Sequence, residues 1–321
     1  MATPVLERVK RWRRQILQLR IKSFYHFLLE INMDLESLNI FCIVAAELSI
    51  TRAASRLGRV QSNVTTRIQQ LEADVGVELF VRSGKRLSLS TAGERFLDYA
   101  RRLLALEEEA RNVVTGGLDG GVLRMGCMES TAASRLPAVL AAYHARYPAT
   151  RLEVSTGPSR QLLEQVRTGR LDCAFLALPP AAGDDASLAD MGLVAEKAWL
   201  EELLLLAPTS EASADTPRAI RTRSLAAFAQ GCSYRAIAEQ LLGIPDSPGW
   251  QVQEMGSYHA MIACVAAGAC VTVLPKSVLE LARVPTGLKT LPAGQVDTCL
   301  LWRSGYNVPA FQNLQNQMKS V

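Results

Sequence analysis

The earliest regular pattern in the chain is a repeat of apolar residues every three or four positions, which begins just after Met33. Side chains at this spacing share one face of a helix, so a first core helix is predicted over residues 34–48. A compact second helix is predicted over residues 51–57, and Gly58 ends it because glycine tolerates the left-handed conformation that follows a helix. The predicted apolar face of the first helix consists of Leu35, Leu38, Phe41, Ala45 and Leu48.

A third helix, predicted over residues 61–75, has one apolar and one polar face. Two short apolar runs follow at 78–81 and 86–89, and the glycine-containing turn between them predicts a hairpin with a basic tip, which we call the wing. The apolar stripe of the helix consists of Val64, Ile68, Leu71 and Val75. The polar face consists of Gln61, Ser62, Asn63, Thr65, Thr66, Arg67 and Gln69.

A long fourth helix is predicted to begin at the capping residues Ser90 or Thr91 and to continue to about Val114. Its apolar residues repeat in alternating steps of three and four, which is typical of the seam of a coiled coil. We therefore expect a dimerisation helix between two domains, with a surface helix packed on its own domain as the alternative. The predicted seam consists of Phe96, Tyr99, Leu103, Leu106, Ala110 and Val113.

Beyond about residue 121 short apolar runs alternate with helical patterns. Such alternation predicts an α/β architecture in which helices cover parallel sheets. The predicted strands are 122–126, 152–155, 173–178, 203–207, 251–254, 271–274, 289–291 and 298–302. The predicted helices are 132–147, 160–168, 234–242, 258–267 and 276–281.

Length and composition are typical of a folded protein with more than one domain. A chain of 321 residues suits about two or three compact units, and its 49% hydrophobic content favours packed cores over disorder. The seven cysteines form no C-x-x-C pair, so we expect free thiols in a reducing, cytoplasmic compartment and no metal site. An uninterrupted apolar run of about 18 residues, which a membrane span needs, does not occur.

The segment 1–32 is strongly basic, with seven basic and two acidic side chains. Its apolar part at 24–31 is interrupted by His26 and Glu30 and has no small-residue cleavage site, so a secretory signal is rejected. A basic arm that contacts DNA phosphates or a membrane surface is one interpretation. The interpretation we prefer is that Met33 is the natural start and that the segment comes from a misassigned upstream start.

The order of two helices, a turn, a polar-faced helix and a wing is typical of a DNA-binding unit, because a single helix fits the major groove. Residues 49–71 contain four arginines and no acid, which suits a phosphate-bearing partner. Four successive segments strongly resemble the DNA-binding domain of the LysR-type regulator family: M-D-L-E-S-L-N-I-F, A-A-E-L-S-I-T-R-A-A-S-R-L, V-Q-S-N-V-T-T-R-I-Q-Q-L-E and L-F-V-R-S-G-K-R-L-S-L-S-T-A-G. The resemblance covers residues 33–93 and continues more loosely to the chain end.

This resemblance implies which side chains contact DNA. Thr51 and Arg52 would approach phosphates at the start of the second helix, and Arg82 and Arg86 would reach the minor groove or its phosphates from the wing. The recognition face would consist of Gln61, Ser62, Asn63, Thr65, Thr66 and Arg67. The family usually has proline at the position of Ser62 and arginine one position before Arg67, so the start of the recognition helix and the base preference stay open.

The second half resembles the family's effector domain, on segments such as G-V-L-R-M-G-C-M-E-S-T-A-A-S-R-L-P and G-S-Y-H-A-M-I-A-C-V-A-A-G-A-C-V-T-V-L-P. It implies a type 2 periplasmic-binding-protein-like α/β domain with two lobes joined by two crossing strands. The implied domains are a basic extension at 1–32, an all-α winged helix-turn-helix domain at 33–91, a linker and dimerisation helix at 92–116, and an effector domain at 121–321. Lobe I would take about 121–195 and 292–321, and lobe II about 196–291.

Ligands in such a domain lie at the carboxyl ends of the strands, where helix amino-termini point free N–H groups into the cleft. Hydroxyls and amides there suit a small anion or polar metabolite, although each serine could be a plain helix cap. Cys232 is a candidate redox sensor or, as we prefer, a cleft-lining thiol, and His144 and His259 are taken as ordinary helix residues. The expected effector-binding residues are Ser130, Thr131, Ser159, Cys232, Ser233, Tyr234, Ser257 and Tyr258, beside Gly231.

Together these observations predict a sequence-specific DNA-binding transcription regulator controlled by a small-molecule co-inducer, without catalytic residues, metal or other cofactor. Symmetry predicts a dimer on an imperfectly symmetric operator, and the resemblance extends this to a tetramer that contacts RNA polymerase. Effector binding would shift the lobes and alter DNA bending. An enzyme and a solute-binding transport protein, fused to a DNA-binding unit, are the two alternatives.

Overall fold

The computed structural model describes residues 33–84, 86–114, 121–178 and 185–319. The basic segment 1–32, with the expectations attached to it, lies outside the described residues. The chain divides between Leu104 and Ala105 into two compact units, which we call unit 1 and unit 2. Each unit is described separately below.

Unit 1 contains three short helices, a hairpin and the first half of a long helix. Side chains cap the first two helices: Asp34 accepts a hydrogen bond from the Ser37 N–H at 2.6 Å, and Ser49 accepts one from the Arg52 N–H at 3.3 Å. Because such caps satisfy amides that the helix cannot, they determine where these helices begin. The elements are α1 (Leu35–Glu47), α2 (Ile50–Leu57), α3 (Gln61–Val75), β1 (Phe80–Ser83), β2 (Arg86–Leu89) and α4 (Thr91–Val114).

The core of unit 1 differs from the prediction at the two ends of α1. Leu35 and Leu48 are exposed, so their assignment to the apolar face was wrong. Leu48 follows the last turn with a φ of 46°, which turns its side chain away from the helix face. In α3 the predicted stripe is confirmed for Val64, Ile68 and Leu71, which are buried. The central residues of α1 in the core are Leu38, Ile40, Phe41, Val44 and Ala45.

The wing is an antiparallel hairpin in which Phe80 pairs with Leu89 and Ser83 with Arg86. Its first strand begins later than the predicted 78–81, so Arg82 and Ser83 lie in β1 rather than in the turn. The hairpin and α4 approach closely at Gly93, where a Cβ atom would lie 2.0 Å from the Leu79 carbonyl oxygen. Glycine is therefore required at this position for α4 to pack against the hairpin.

Unit 2 is built around a six-stranded sheet with the strand order β4-β3-β5-β10-β6-β9. Its first strands are β3 (Val122–Cys127), β4 (Arg151–Thr156) and β5 (Cys173–Ala177), and they are parallel, as predicted. The remaining strands β6 (Leu193–Ala207), β9 (Thr272–Pro275) and β10 (Lys289–Arg303) pair antiparallel, which the prediction of parallel sheets missed. A second parallel pair is formed by β7 (Ser224–Ala227), which was not predicted, and β8 (Gln251–Glu254).

Two long strands run through both halves of unit 2. β6 and β10 each have 15 residues and pair from Lys289–Ala207 to Arg303–Leu193. The sequence predicted only 203–207 for the first, and split the second into 289–291 and 298–302. Polar residues such as Glu202 and Gln295 interrupt the apolar runs in the middle, where the strands are exposed, and this concealed their length.

Helices cover the two ends of these strands and form three cores: one around Phe175 and Phe311 in lobe I, one around Tyr258 and Leu274 in lobe II, and one that includes residues of both lobes, such as Leu162 and Tyr234. The predicted helix 132–147 is two helices, because Pro137 begins a new one after Arg135. A carboxyl-terminal helix was not predicted. The helices are α5 (Glu129–Ser134), α6 (Leu136–Arg146), α7 (Ser159–Arg167), α8 (Asp185–Asp190), α9 (Ser233–Leu241), α10 (Tyr258–Ala266), α11 (Lys276–Leu281) and α12 (Pro309–Met318).

Candidate functional site

A concave surface on unit 1, which we call the basic groove, lies between the starts of α2 and α3 and the wing. It encloses about 380 Å³ and brings together six of the side chains predicted to contact DNA, although three different elements carry them. Its lining is mostly polar and includes three arginines, which suits a partner that carries phosphates. These six residues are Thr51, Arg52, Gln61, Thr65, Arg82 and Arg86.

The polar face of α3 extends this surface. Ser62, Asn63 and Thr66 are exposed, as the prediction requires, and Val60 precedes them without a side-chain cap on the helix. The Thr65 hydroxyl donates a hydrogen bond to the Gln61 carbonyl oxygen at 3.0 Å, so it turns back on the helix and keeps an acceptor position free. The recognition face is thus open to an approaching partner along its whole length.

Ion pairs engage several arginines of unit 1, and Arg52 and Arg56 on α2 pair with Glu47. Arg67 pairs with Asp34 at 3.3 Å and with Glu36 at 3.1 Å, and Arg59 also contacts Glu36. These carboxylates come from the start of α1, so the acid-free stretch 49–71 meets acids that are distant in sequence. Among the described residues, Arg82 and Arg86 on the wing form no ion pair. The wing therefore carries the unneutralised charge of the groove.

A cleft of about 370 Å³ is the second candidate site, and it lies in unit 2. Four chain segments form it, and each directly follows the carboxyl end of β3, β4, β7 or β8. This arrangement is the one that the strand-end rule predicts for a ligand site in an α/β protein. The lining residues are Met128, Glu129, Ser130, Thr156, Gly157, Pro158, Phe228, Ala229, Cys232, Tyr234, Glu254, Met255, Gly256 and Tyr258.

Four of the eight predicted effector residues line this cleft: Ser130, Cys232, Tyr234 and Tyr258. The hydroxyls of Ser130 and Tyr234 are buried and have no hydrogen-bond partner among the described residues. Burial raises the pKa of both Tyr234 and Tyr258, so both phenols stay protonated and can donate hydrogen bonds. Two unpartnered hydroxyls in an apolar cavity are available to a ligand.

The other four predicted effector residues are not placed in the lining. Thr131 is buried in α5, and the Ser159 hydroxyl donates to the Met128 sulfur at 3.4 Å. The Ser233 hydroxyl donates to the Ala177 carbonyl oxygen at 2.7 Å, and Ser257 caps α10 by accepting from the His259 N–H at 3.2 Å. Of these side chains, Ser257 has the plain helix-cap role that was the alternative to ligand binding, whereas Ser159 and Ser233 bond to neighbouring segments of the protein.

Cys232 has the environment of a structural thiol rather than of a redox sensor. Burial raises the pKa of its thiol, and this outweighs the lowering by the backbone amides of Arg235 and Tyr234. A thiol with a raised pKa is mostly protonated near neutral pH and reacts slowly with oxidants. None of the seven cysteines, each of which lies in the described part of the chain, forms a disulfide bond.

Glu129 is the functional candidate that the sequence analysis missed. It is the first residue of α5 and lines the cleft, and its Oε2 atom is buried without a hydrogen-bond partner among the described residues. Burial raises the pKa of this carboxyl, and the nearby His259 lowers it. Its position directly after a strand was a usable signal, but a carboxylate does not fit the expectation of an anionic ligand.

The described residues contain no cluster of three or more His, Cys, Asp or Glu side chains arranged to hold a metal ion. Among the helices in the same ranges, none is both long enough and apolar enough to cross a membrane.

Comparisons with known proteins connect both sites to regulators. The sequence model described as "Bacterial regulatory helix-turn-helix protein, lysR family" matches residues 35–94, and the one described as "LysR substrate binding domain" matches residues 116–321. The chain is 36% identical over 249 residues to the uncharacterized HTH-type transcriptional regulator YusT of Bacillus subtilis (strain 168), covering 77% of this chain and 81% of that protein.

Two solved structures share the fold. A full-length OxyR variant from Pseudomonas aeruginosa has a TM-score of 0.66 at 22% identity, covering 90% of this chain and 95% of that one. Full-length CbnR in complex with its target DNA has a TM-score of 0.61 at 21% identity, covering 90% of this chain and 99% of that one.

Proposed function

The chain belongs to the LysR family of DNA-binding transcription regulators with an effector-binding domain, and on that premise we propose which surfaces read DNA and sense the effector. The basic groove, with the polar face of α3 and the wing arginines, binds operator DNA. The cleft of unit 2 binds the effector. The observation that carries this proposal is the convergence of six predicted DNA-contacting side chains from three elements on one open surface.

The groove suits the two kinds of contact that a regulator makes with DNA. Arg82 and Arg86 supply charge for phosphates, and side chains of the wing that carry no ion pair give up no internal contact when they bind. The amides and hydroxyls of Gln61, Asn63 and Thr66 present short donors and acceptors to base edges in the major groove. Phosphate contacts then position the protein, and α3 supplies the sequence specificity.

The working unit is a homodimer, held together by the seam of α4. Tyr99 is 62% exposed and Leu106 60% exposed in the single chain, although both lie on the apolar stripe that the sequence predicts as an interface. A second copy that covers this stripe would remove water from it. Assembly into a tetramer, contact with RNA polymerase, a cytoplasmic location and the absence of an enzymatic activity complete the proposal.

Effector binding acts by changing how the two lobes of unit 2 are held. β6 and β10 are the strands common to both lobes, and a cluster of contacts around the buried carboxylate of Glu201 joins the lobes. In this cluster Arg135 pairs with Glu201 at 2.6 Å, and the Ser277 hydroxyl donates to the other Glu201 oxygen at 2.8 Å. A ligand between the lobes would bias this arrangement by its differential affinity for the open and closed forms.

The last turns of α4 are attached to lobe I, so a lobe movement would reach this helix. Arg124 on β3 forms two hydrogen bonds with Glu108, at 2.9 and 2.7 Å, and its backbone N–H donates to the buried Asp172. A paired, bidentate contact of this type has a defined geometry. It provides a mechanical connection between the effector domain and the dimerisation helix.

The DNA-binding proposal is tested with sites selected by the full chain from a random-sequence DNA library. Fluorescence anisotropy at several salt concentrations then compares the parent with the double variant Arg82→Ala/Arg86→Ala. We expect an affinity loss of about 10- to 100-fold and a salt slope reduced by about two. Arg218→Ala/Arg283→Ala, which removes the same two charges from exposed sites on unit 2, is the control. Parental affinity in the double variant would refute the assignment of the wing.

A further inference from the structure

The cleft has an uneven charge distribution that narrows the chemistry of its ligand. Its lining contains two carboxylates, Glu129 and Glu254, and no lysine or arginine. The guanidinium of Arg235, which is next in sequence to the lining residue Tyr234, is engaged by other groups of the protein. It contacts Glu239 at 2.8 Å, Glu254 at 2.6 Å and the Phe228 carbonyl oxygen at 3.2 Å. No cation of the lining is therefore available to a carboxylate or phosphate ligand.

The helix amino-termini around the cleft are already partly engaged within the protein. In α7 the backbone N–H of Arg160 donates to the Gly231 carbonyl oxygen at 3.1 Å. At α10 the Ser257 hydroxyl accepts from the His259 N–H at 3.2 Å. At α5 the Glu129 carboxylate lies in the first turn, where it compensates the helix dipole. These contacts make the helix starts a weaker site for an anion than free helix starts would be.

Glu129, by contrast, lacks a fixed counter-ion. Glu254 is neutralised by Arg235, whereas the buried Oε2 atom of Glu129 has no hydrogen-bond partner among the described residues. The groups that face Glu129 are the imidazole of His259, the phenol of Tyr258 and the thiol of Cys127. Of these, only His259 can carry positive charge, and its side chain belongs to an exposed residue.

The surroundings of Glu129 suit an organic ammonium group. Ser130 and Tyr234 offer unpartnered hydroxyl oxygens that can accept hydrogen bonds from N–H donors. Phe228 and Tyr258 meet edge to face, with ring centroids 4.8 Å apart, and aromatic faces attract cations. Met128, Pro158 and Met255 complete an apolar wall for a hydrocarbon body.

We propose that the effector of this protein is a small amine with an apolar body, and that Glu129 is the counter-ion of its ammonium group. This inference rests on the proposed function, because it assumes that the cleft is the effector site. It goes further by specifying the charge of the ligand and the residue that selects it. An ammonium ligand would give the partly desolvated, unpartnered carboxylate of Glu129 a counter-ion. This pairing is the source of the selectivity for amines.

The test uses the full chain and two carbon skeletons, phenethyl and hexyl, each carrying an ammonium, a carboxylate or a hydroxyl group. Calorimetric titration is done at about pH 8, where alkylammonium groups are charged and carboxylic acids are ionised. We expect the ammonium compounds to bind at least about 10-fold more tightly than their carboxylate partners. Glu129→Gln should weaken ammonium binding by at least about 30-fold, because the buried charge then has no partner.

Two comparisons separate a counter-ion from a structural role. Glu129→Gln should change the affinity of the hydroxyl compounds by less than about threefold, since an uncharged ligand does not use the carboxylate. Glu254→Gln removes an equal charge from the same cleft, where Arg235 already neutralises it, and should retain ammonium binding. An equal loss of ammonium binding in both variants would overturn the assignment to Glu129.

The remaining outcomes distinguish this inference from the proposed function. Tighter binding of the carboxylates in the cleft would overturn the amine proposal and leave the effector site standing. Binding of none of the compounds, together with no response of operator binding to them, would count against both. Ammonium binding that Glu129→Gln leaves unchanged would overturn the amine proposal alone.

Discussion

The two candidate sites differ in how their polar groups are satisfied before a partner binds. On unit 1 the polar face of α3 is exposed to water, and Arg67 already pairs with carboxylates. In the cleft of unit 2, Ser130 and Tyr234 are buried without hydrogen-bond partners among the described residues. A buried unsatisfied group costs about 1–3 kcal/mol, whereas an exposed ion pair contributes about 0–1 kcal/mol. The DNA surface is therefore complete without its partner, and the cleft is not.

This difference has a consequence for mutagenesis. Changes on the basic groove should alter binding with little effect on folding, because its side chains are surrounded by water. Changes in the cleft should affect both stability and ligand binding. Removal of a group that has a hydrogen-bond partner should lower the free energy of unfolding, whereas removal of an unpartnered group should not.

Each candidate site belongs to a separate folded unit. Gly93 is a position at which a substitution should destabilise unit 1 alone. Gly93→Ala would bring a Cβ atom to 2.0 Å from the Leu79 carbonyl oxygen, so α4 and the hairpin must separate. We expect unit 1 to lose about 3 kcal/mol of stability. Hydrogen exchange should show lost protection in α1–α3 and unchanged protection in unit 2.

The matched control is Gly256→Ala in unit 2, where an added Cβ would have no heavy atom within 4 Å. It should change stability by less than about 1 kcal/mol. Equal loss of protection in both units after Gly93→Ala would show that the two units do not unfold independently.

Two equally buried serines test whether a hydrogen-bond partner determines how much stability is lost on substitution. Ser130 and Ser233 are each 3% exposed, but only the Ser233 hydroxyl has a partner, the Ala177 carbonyl oxygen. Ser233→Ala should lower the free energy of unfolding by about 2 kcal/mol, because that oxygen is left unsatisfied. Ser130→Ala should leave it unchanged or raise it slightly, while weakening ligand binding. Urea unfolding measures the first effect and titration with the ligand the second, and equal destabilisation by both changes would contradict the distinction.

Arg67 sharpens the comparison on the DNA surface, since it is a predicted DNA contact that already has carboxylate partners. Arg67→Ala should weaken operator binding by about fivefold, roughly 1 kcal/mol, less than the double change on the wing. Stability should change by less than about 1 kcal/mol, because the ion pairs are exposed. Anisotropy with the selected operator measures the binding. Ser130→Ala is the control, and its affinity for the operator, measured without effector, should equal that of the parent. A larger loss of operator affinity in Arg67→Ala than in the wing double variant would reverse our ranking of the arginines.

The smallest effect concerns pH. Burial raises the pKa of the Glu129 carboxyl in the folded state, so the folded chain binds this proton more tightly than the unfolded chain. Stability contributed by this group therefore falls as pH rises from the ordinary carboxyl range through the raised value. Glu129→Gln should be slightly more stable than the parent at about pH 7 and equal to it below about pH 4. Urea unfolding across this range checks the sign, which would be opposite if the favourable helix dipole outweighed burial.

Local signals in the sequence determined most of unit 1. The 3.6-residue period of α3 and the caps Asp34 and Ser49 involve residues within a few positions of each other, so they can be recognised without a fold. The polar face of α3 is exposed as predicted for the same reason. In unit 2 the strand-end rule identified the chain segments that form the cleft, because it depends only on the order of strands and helices.

Tertiary structure decided which side chains meet. The pairing of Arg67 with Glu36 joins residues 31 positions apart, and the bond from Ser233 to Ala177 joins residues 56 positions apart. Such contacts decide whether a serine that follows a strand lines the cleft or bonds to a neighbouring segment. Ser130 and Ser233 therefore have equivalent positions in the sequence pattern but different environments in the fold. The free carboxylate of Glu129 has the same origin. Periodicity and capping act through neighbouring residues, whereas burial and partnership are properties of the assembled chain.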